Sequence, residues 1–147
     1  MKSPKTITVC CSASFFKDSI EVGDRLKKLG FKVLLPKTAN IMKRTKIYDV
    51  SFYKTWYKNK KDYLKKTQLV KDHFKKVKKA DAILVLNLEK NGIKGYVGGN
   101  TLMEMTVVFL NKKPIFIYNE TQDDFMLQEE ILSLNPIFIN RKLNLIK

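Results

Sequence analysis

The chain reads as an α/β protein: a doubly wound, five-stranded parallel sheet in the order 2-1-3-4-5, with helices on both faces. Short apolar runs alternate with helix-length segments along the sequence, the pattern of strand–helix–strand units. The clearest unit is Ala80–Tyr118, where an apolar run at Ala82–Leu86 enters a glycine-studded loop, then an apolar helical segment, then the run Pro114–Tyr118. Right-handed crossovers put helices on both faces of such a sheet when its switch point lies between the first and third strands.

Each element has a local reason. Thr6–Cys11 (TITVCC), rich in β-branched and small apolar residues, is the first strand. Phe15–Leu29 carries Ile20, Val22, Leu26 and Leu29 near helical spacing, and Gly30 is its stop. Phe31–Leu35 is a short second strand closed by Pro36. Lys37–Thr55 mixes Lys, Asn, Thr and aromatics without a period, so an irregular, lid-like insertion is expected around 37–55. Trp56–Lys79 reads as a long basic helix with an apolar stripe at Tyr63, Val70, Phe74 and Val77. Ala80–Leu86 is strand three, and Thr101–Leu110 the following helix with Asn100 as its N-cap. Pro114–Tyr118, a helix at Phe125–Leu134 and a short strand at Pro136–Ile139 complete a single domain over residues 1–147.

No stretch approaches the roughly 18 apolar residues of a membrane span. The apolar part of the N-terminus is too short for a secretory signal, so cytoplasmic residence and no membrane partner are expected. Cys10 and Cys11 are adjacent and so face opposite sides of a strand, which disfavours a mutual disulfide. They lack the spacing and companions of a zinc site, and buried reduced thiols are expected. The net charge is +15, with 29 Lys+Arg against 14 Asp+Glu, and it is concentrated in the lysine-rich stretch Met42–Lys79. Arginine occurs only at Arg25, Arg44 and Arg141. Nucleic-acid readers favour arginine forks, so a solvated lysine face is preferred over a nucleic-acid surface.

At the switch point two loops meet, Ser12–Phe16 and Asn87–Asn100. Ser12 and Ser14, with Phe15 between them and the helix, offer hydroxyls and N–H groups for an anion or a sugar; both serines also suit plain turn and cap roles. Gly98 and Gly99, leading into Asn100, let backbone approach a ligand. The chain lacks the phosphate-loop GK[ST] and a GxGxxG after the first strand, which argues against a nucleoside triphosphatase or a nicotinamide enzyme. Glu104, about one turn into an apolar helix expected to be buried on most sides, either complements the helix dipole or serves as a functional carboxylate. The second reading is preferred, with the carboxylate attacking an anomeric carbon as in retaining glycosyl transfer. His73, the only histidine, sits eight residues before Asp81, roughly 12 Å back along its helix. A five-residue strand rises roughly 17 Å, so His73 or Asp72 comes near the rim of the site, while Asp81 lies at the far end in a structural role.

The segments CSASFF, LKKLGFKVLLP, KKADAILVLN, GGNTLMEM and NKKPIFIYN span nearly the whole chain. Together they resemble the nucleoside 2-deoxyribosyltransferase family, which includes the 2′-deoxynucleoside 5′-monophosphate N-glycosidases. The resemblance implies cleavage or transfer of an N-glycosidic bond of a deoxynucleoside or deoxynucleotide, without cofactor or metal, in a homodimer or larger homo-oligomer. It implies Glu104 as the nucleophile that forms a glycosyl-enzyme intermediate, and Ser12 on the sugar or 5′-phosphate side. The family's aspartate eight residues before the Asp that opens strand three is His73 here, preceded by Asp72. Thr106 stands where the family often has glycine. These departures keep a second reading open, a non-catalytic nucleotide-binding module of the same fold.

Overall fold

A computed structural model describes residues 2–147. The sheet is five-stranded, parallel throughout and ordered β2-β1-β3-β4-β5. Its strands are β1 (Thr6–Cys10), β2 (Lys32–Leu34), β3 (Ala82–Val85), β4 (Ile115–Ile117) and β5 (Ile137–Phe138). The helices are α1 (Phe16–Lys28), α2 (Lys37–Thr45), α3 (Val50–Tyr53), α4 (Tyr63–Lys79), α5 (Gly99–Leu110) and α6 (Gln128–Ser133). This is the doubly wound, flavodoxin-like arrangement. Among the described residues, no helix is long and apolar enough to cross a membrane.

Strand alternation divides the core into two layers. Ile7, Val9, Ala82, Leu84 and Phe116 point to one face and pack with Val22 and Leu26 of α1. Cys10, Ile83, Val85, Ile115 and Ile117 point to the other and pack with Val77 of α4, Met105 and Val108 of α5 and Ile131 of α6. Strands buried on both faces explain why the sequence shows continuous apolar runs there instead of alternation.

The segment expected to be irregular is largely helical. In α2, Thr38, Ala39 and Met42 share one buried face against α1, and the helix stops where Lys46 turns left-handed at φ 62°. Asp49 then caps α3 by accepting the Ser51 N–H at 2.9 Å. Three apolar or small positions in a lysine-rich stretch are too sparse a signal to read as a period. The next helix starts later than expected, at Tyr63, because Trp56 turns inward and Thr55 donates to Asp62 at 2.6 Å, holding a turn before it. Of the expected stripe Val77 is buried, Val70 and Phe74 are half-buried and Tyr63 is exposed. The face of α5 turned to the sheet is buried, but Met103, Phe109 and Leu110 are exposed, so this helix is less enclosed than expected.

Candidate active site

Parallel pairing of Ile7 with Ala82 through Cys10 with Val85 brings the carboxyl ends of β1 and β3 level. The loops leaving them form the wall of a cavity of about 250 Å³. That is just below the roughly 300–1,000 Å³ of small-molecule sites, and it lies at the switch point where such sheets bind ligands.

The loop after β3 is a built hairpin. Lys90 and Ile93 exchange backbone hydrogen bonds across Asn91 and Gly92, which take φ 52° and 76°. Two consecutive positive φ angles are the demand that Asn-Gly meets in a tight turn. The turn carries Lys90 over the cavity, where its ammonium donates to Ser12 Oγ at 3.2 Å and lies 5.0 Å from the Tyr96 ring centroid. At the base of the loop, buried Asn87 donates to the Asn119 carbonyl at 2.7 Å and accepts the Asn119 N–H at 2.8 Å. Asn119 in turn donates to the Asn87 carbonyl at 3.0 Å, which ties the loops after β3 and β4 together. Gly95, at φ 67°, packs so closely that a methyl there would overlap the Glu120 carbonyl.

Helix α5 begins with its N-terminus at the cavity. Gly98 is the N-cap and Asn100 lies inside the first turn, one step beyond the capping role expected of it. The first intrahelical bond runs from Leu102 N–H to Gly98 carbonyl, leaving the N–H groups of Gly99, Asn100 and Thr101 without helical acceptors. Neither Gly98 nor Gly99 has positive φ, and a Cβ built on Gly99 meets open space. Glycine there keeps the cavity clear; the backbone does not need it. Thr101 is buried with an unpartnered hydroxyl on the cavity wall.

Glu104 stands on the same face one turn further on. Its side chain is 12% exposed and lines the cavity. Burial pushes its carboxyl up to about 8, against smaller opposing effects of the Cys10 thiol and the Lys66 ammonium. No lysine or arginine ion pair to Glu104 occurs among the described residues. Across the cavity floor, Lys66, Leu69, Val70 and His73 present one face of α4 at spacings of three and four. His73 is buried, with Nε2 3.5 Å from Glu104 Oε2 but without the geometry of a hydrogen bond. Burial, followed by the Lys76 ammonium, holds its imidazole down at about 4. Asp72 instead points to Lys76, 3.1 Å away. Asp81 sits at the opposite end of the sheet and accepts the N–H groups of Lys5 and Thr6, at 2.8 and 2.9 Å.

The structure thus brings Ser12, His73, Gly98, Gly99, Asn100 and Glu104 to one cavity. Two expected contact residues fall outside it. Phe15 is buried in the core layer of α1, and Ser14 is exposed on the outside of the short turn that opens that helix. Phe16 takes the place on the wall expected for Phe15.

The lysines of the cavity were not foreseen. Lys37, Lys66 and Lys90 reach the cavity from three elements, and nothing in a lysine-rich chain marks which ammonium groups turn inward. For Lys90 the Asn91-Gly92 turn signal was present. Tyr53, Trp56 and Tyr57 line the far wall, whereas Phe52 is exposed. Cys10 and Cys11 are reduced and in opposite core layers, Cys10 buried as expected and Cys11 only half-buried, and burial raises both thiols. The companions Cys10 lacks along the chain appear in space: a donor atom each from Cys10, His73 and Glu104 lie within 4.8 Å of one another.

Fold and site together define a doubly wound α/β protein with a cavity lined by a carboxyl and several lysines at its switch point. No family model matches the chain, and no curated protein matches it as a relative.

Proposed function

We propose that the protein cleaves or transfers the N-glycosidic bond of a 2′-deoxynucleoside 5′-monophosphate or the parent nucleoside through a covalent glycosyl–Glu104 intermediate. The observation that carries this reading is the placement of the Glu104 carboxyl: it opens onto a cavity, with His73 beside it and no cation pairing it off. The resemblance of CSASFF, GGNTLMEM and KKADAILVLN to the nucleoside 2-deoxyribosyltransferase family supports it. Lys37, Lys66 and Lys90, the free N–H groups of α5 and Ser12 favour an anionic group at the mouth, which fits a monophosphate better than a neutral nucleoside. Tyr53, Trp56 and Tyr57 offer faces on which a base stacks.

The free protein holds one proton on the pair at neutral pH, on Glu104. Its transfer to His73 makes carboxylate and imidazolium together. The carboxylate attacks C1′, the electron pair of the C1′–N bond leaves with the base, and the imidazolium protonates that base. Water then attacks C1′, His73 accepts its proton, and the released Glu104 carboxylate regains that proton from His73. A second base in place of water makes the reaction a transfer.

A second reading, nucleotide binding without turnover, draws support from burial, which keeps both groups uncharged by moving Glu104 up and His73 down. Assaying free base from a panel of deoxynucleosides and monophosphates with wild type and Glu104→Ala separates the readings. Base release lost in the variant supports catalysis. Tight nucleotide binding with no turnover in the wild type supports sensing.

The oligomer implied by the resemblance would bury the outward side chains of α5. Phe109, Leu110 and Ile137 leave that end of the molecule apolar and exposed. Light scattering that gives a monomer at assay concentration would remove this part of the proposal. Most α4 lysines are exposed and solvated, and nucleic-acid binding through them is the lesser expectation.

A further inference from the structure

At the cavity floor Cys10, which the glycosyl chemistry does not use, joins His73 and Glu104 in one donor cluster. Cys10 ends β1, His73 lies on α4 and Glu104 on α5, and one donor atom from each falls within 4.8 Å of the other two. Both His73 ring nitrogens and Glu104 Oε2 are buried without a hydrogen-bond partner. His73 is 6% exposed and Cys10 fully buried. Unpartnered buried donors of this kind call for an occupant, because native interiors pair their polar groups.

We propose that Cys10, His73 and Glu104 form a binding site for a thiophilic divalent cation, Zn²⁺ in the first instance. Thiolate, imidazole and carboxylate are all zinc ligands, and three protein ligands with a fourth position open are the pattern of accessible zinc sites. His73 and Glu104 line the cavity, which gives the ion its entry path. Tetrahedral bonds of about 2.0–2.3 Å set ligand atoms roughly 3.5 Å apart, so the donors close by about 1 Å on binding. Their elements are a core strand and two packed helices, which fixes all but that last movement. Coordination replaces the Cys10 thiol proton and the Glu104 carboxyl proton, both released to solvent through the cavity. Thiolate and carboxylate then balance the dication, so no net charge is buried. The charged groups that act on the cluster from outside it are Lys66, Asp72 and Lys76, all from α4.

Because the ion takes Glu104, metal and glycosyl group exclude one another; this corollary alone rests on the proposed function. The site itself is tested without substrate. Chelator-treated protein is titrated with Co²⁺, then with Zn²⁺. One equivalent of Co²⁺ is expected to give tetrahedral visible bands and a sulfur-to-cobalt charge-transfer band, both removed by Zn²⁺. The charge-transfer band survives in Cys11→Ser and is lost in Cys10→Ser. Glu104→Gln, which leaves β1 untouched, weakens Co²⁺ at least about tenfold. Absence of the charge-transfer band in wild type, its persistence in Cys10→Ser, or unchanged affinity in Glu104→Gln would each overturn the site.

Discussion

His73 Nε2 and Glu104 Oε2 stand 3.5 Å apart in a buried floor, yet across neutral pH they are not a salt bridge. With the imidazole held at about 4 and the carboxyl pushed up to about 8, both are uncharged between those limits. Burial is the leading cause in each case, since it disfavours whichever form carries charge. Moving the proton from Glu104 to His73 therefore runs uphill in the free protein. In the proposed reaction, the positive charge that develops on the sugar in the transition state offsets that cost by favouring the carboxylate.

A pair that works with one shared proton gives a bell-shaped kcat/KM. The limbs are expected near pH 4, where His73 gains a second proton, and near pH 8, where Glu104 loses the only one. Initial rates of base release from a deoxynucleoside monophosphate across pH 3.5–9.5 check this. A rate that rises through pH 8 and stays high removes His73 as the acid.

The same values fix a stability slope. Glu104 binds its proton more tightly when folded, about 8 against an ordinary 4.5, so its contribution falls as pH rises between those values. His73 acts oppositely: held at about 4 against 6.5, it lowers stability as pH drops through that window. From pH 6.5 to 8 only the Glu104 effect remains. Denaturant titrations are expected to lose on the order of 2 kcal/mol over that interval, and Glu104→Gln to abolish the loss.

Gly99 separates function from folding. A side chain there meets open space on a helix with ordinary backbone angles, so Gly99→Leu is expected to change stability by less than about 1 kcal/mol. It fills the cavity and displaces substrate, cutting base release by about a hundredfold. Thermal melts beside turnover measurements make the comparison.

Asn87 has the opposite profile. Its carboxamide joins the loops after β3 and β4, and Asn87→Ala leaves the half-buried Asn119 N–H and carbonyl without those partners. A loss of about 2–4 kcal/mol is expected by chemical denaturation.

On the proposed function, Lys90 is the contact that separates a monophosphate from its nucleoside. Lys90→Ala is expected to raise KM for a monophosphate about tenfold, the scale of one charge-assisted hydrogen bond, and to leave KM for the parent nucleoside within about twofold. Equal effects on both substrates would place the phosphate elsewhere.

The parallel sheet was legible because both-face burial writes unbroken apolar runs such as AILVL, and Glu104 stood out as the acid in an apolar helix. His73 was reachable because helix rise and strand rise can be compared by length alone. What stayed hidden depended on direction. Phe15 and Phe16 are neighbours of one type, and only the pitch of the turn decides which enters the core and which the cavity. Helix α2 was invisible since Thr38, Ala39 and Met42 give too little apolar contrast, its burial coming from the α1 surface opposite. The meeting of Cys10 with His73 and Glu104 joins three elements far apart in sequence, which no spacing rule along the chain contains.

Mass spectrometry of the protein quenched during turnover of a deoxynucleoside monophosphate bears most directly on the role of Glu104. A deoxyribosyl-phosphate adduct on the peptide carrying Glu104, absent in Glu104→Gln, is the predicted result. Base released with no mass added to the protein, or with the adduct on another residue, would contradict a covalent glycosyl–Glu104 intermediate.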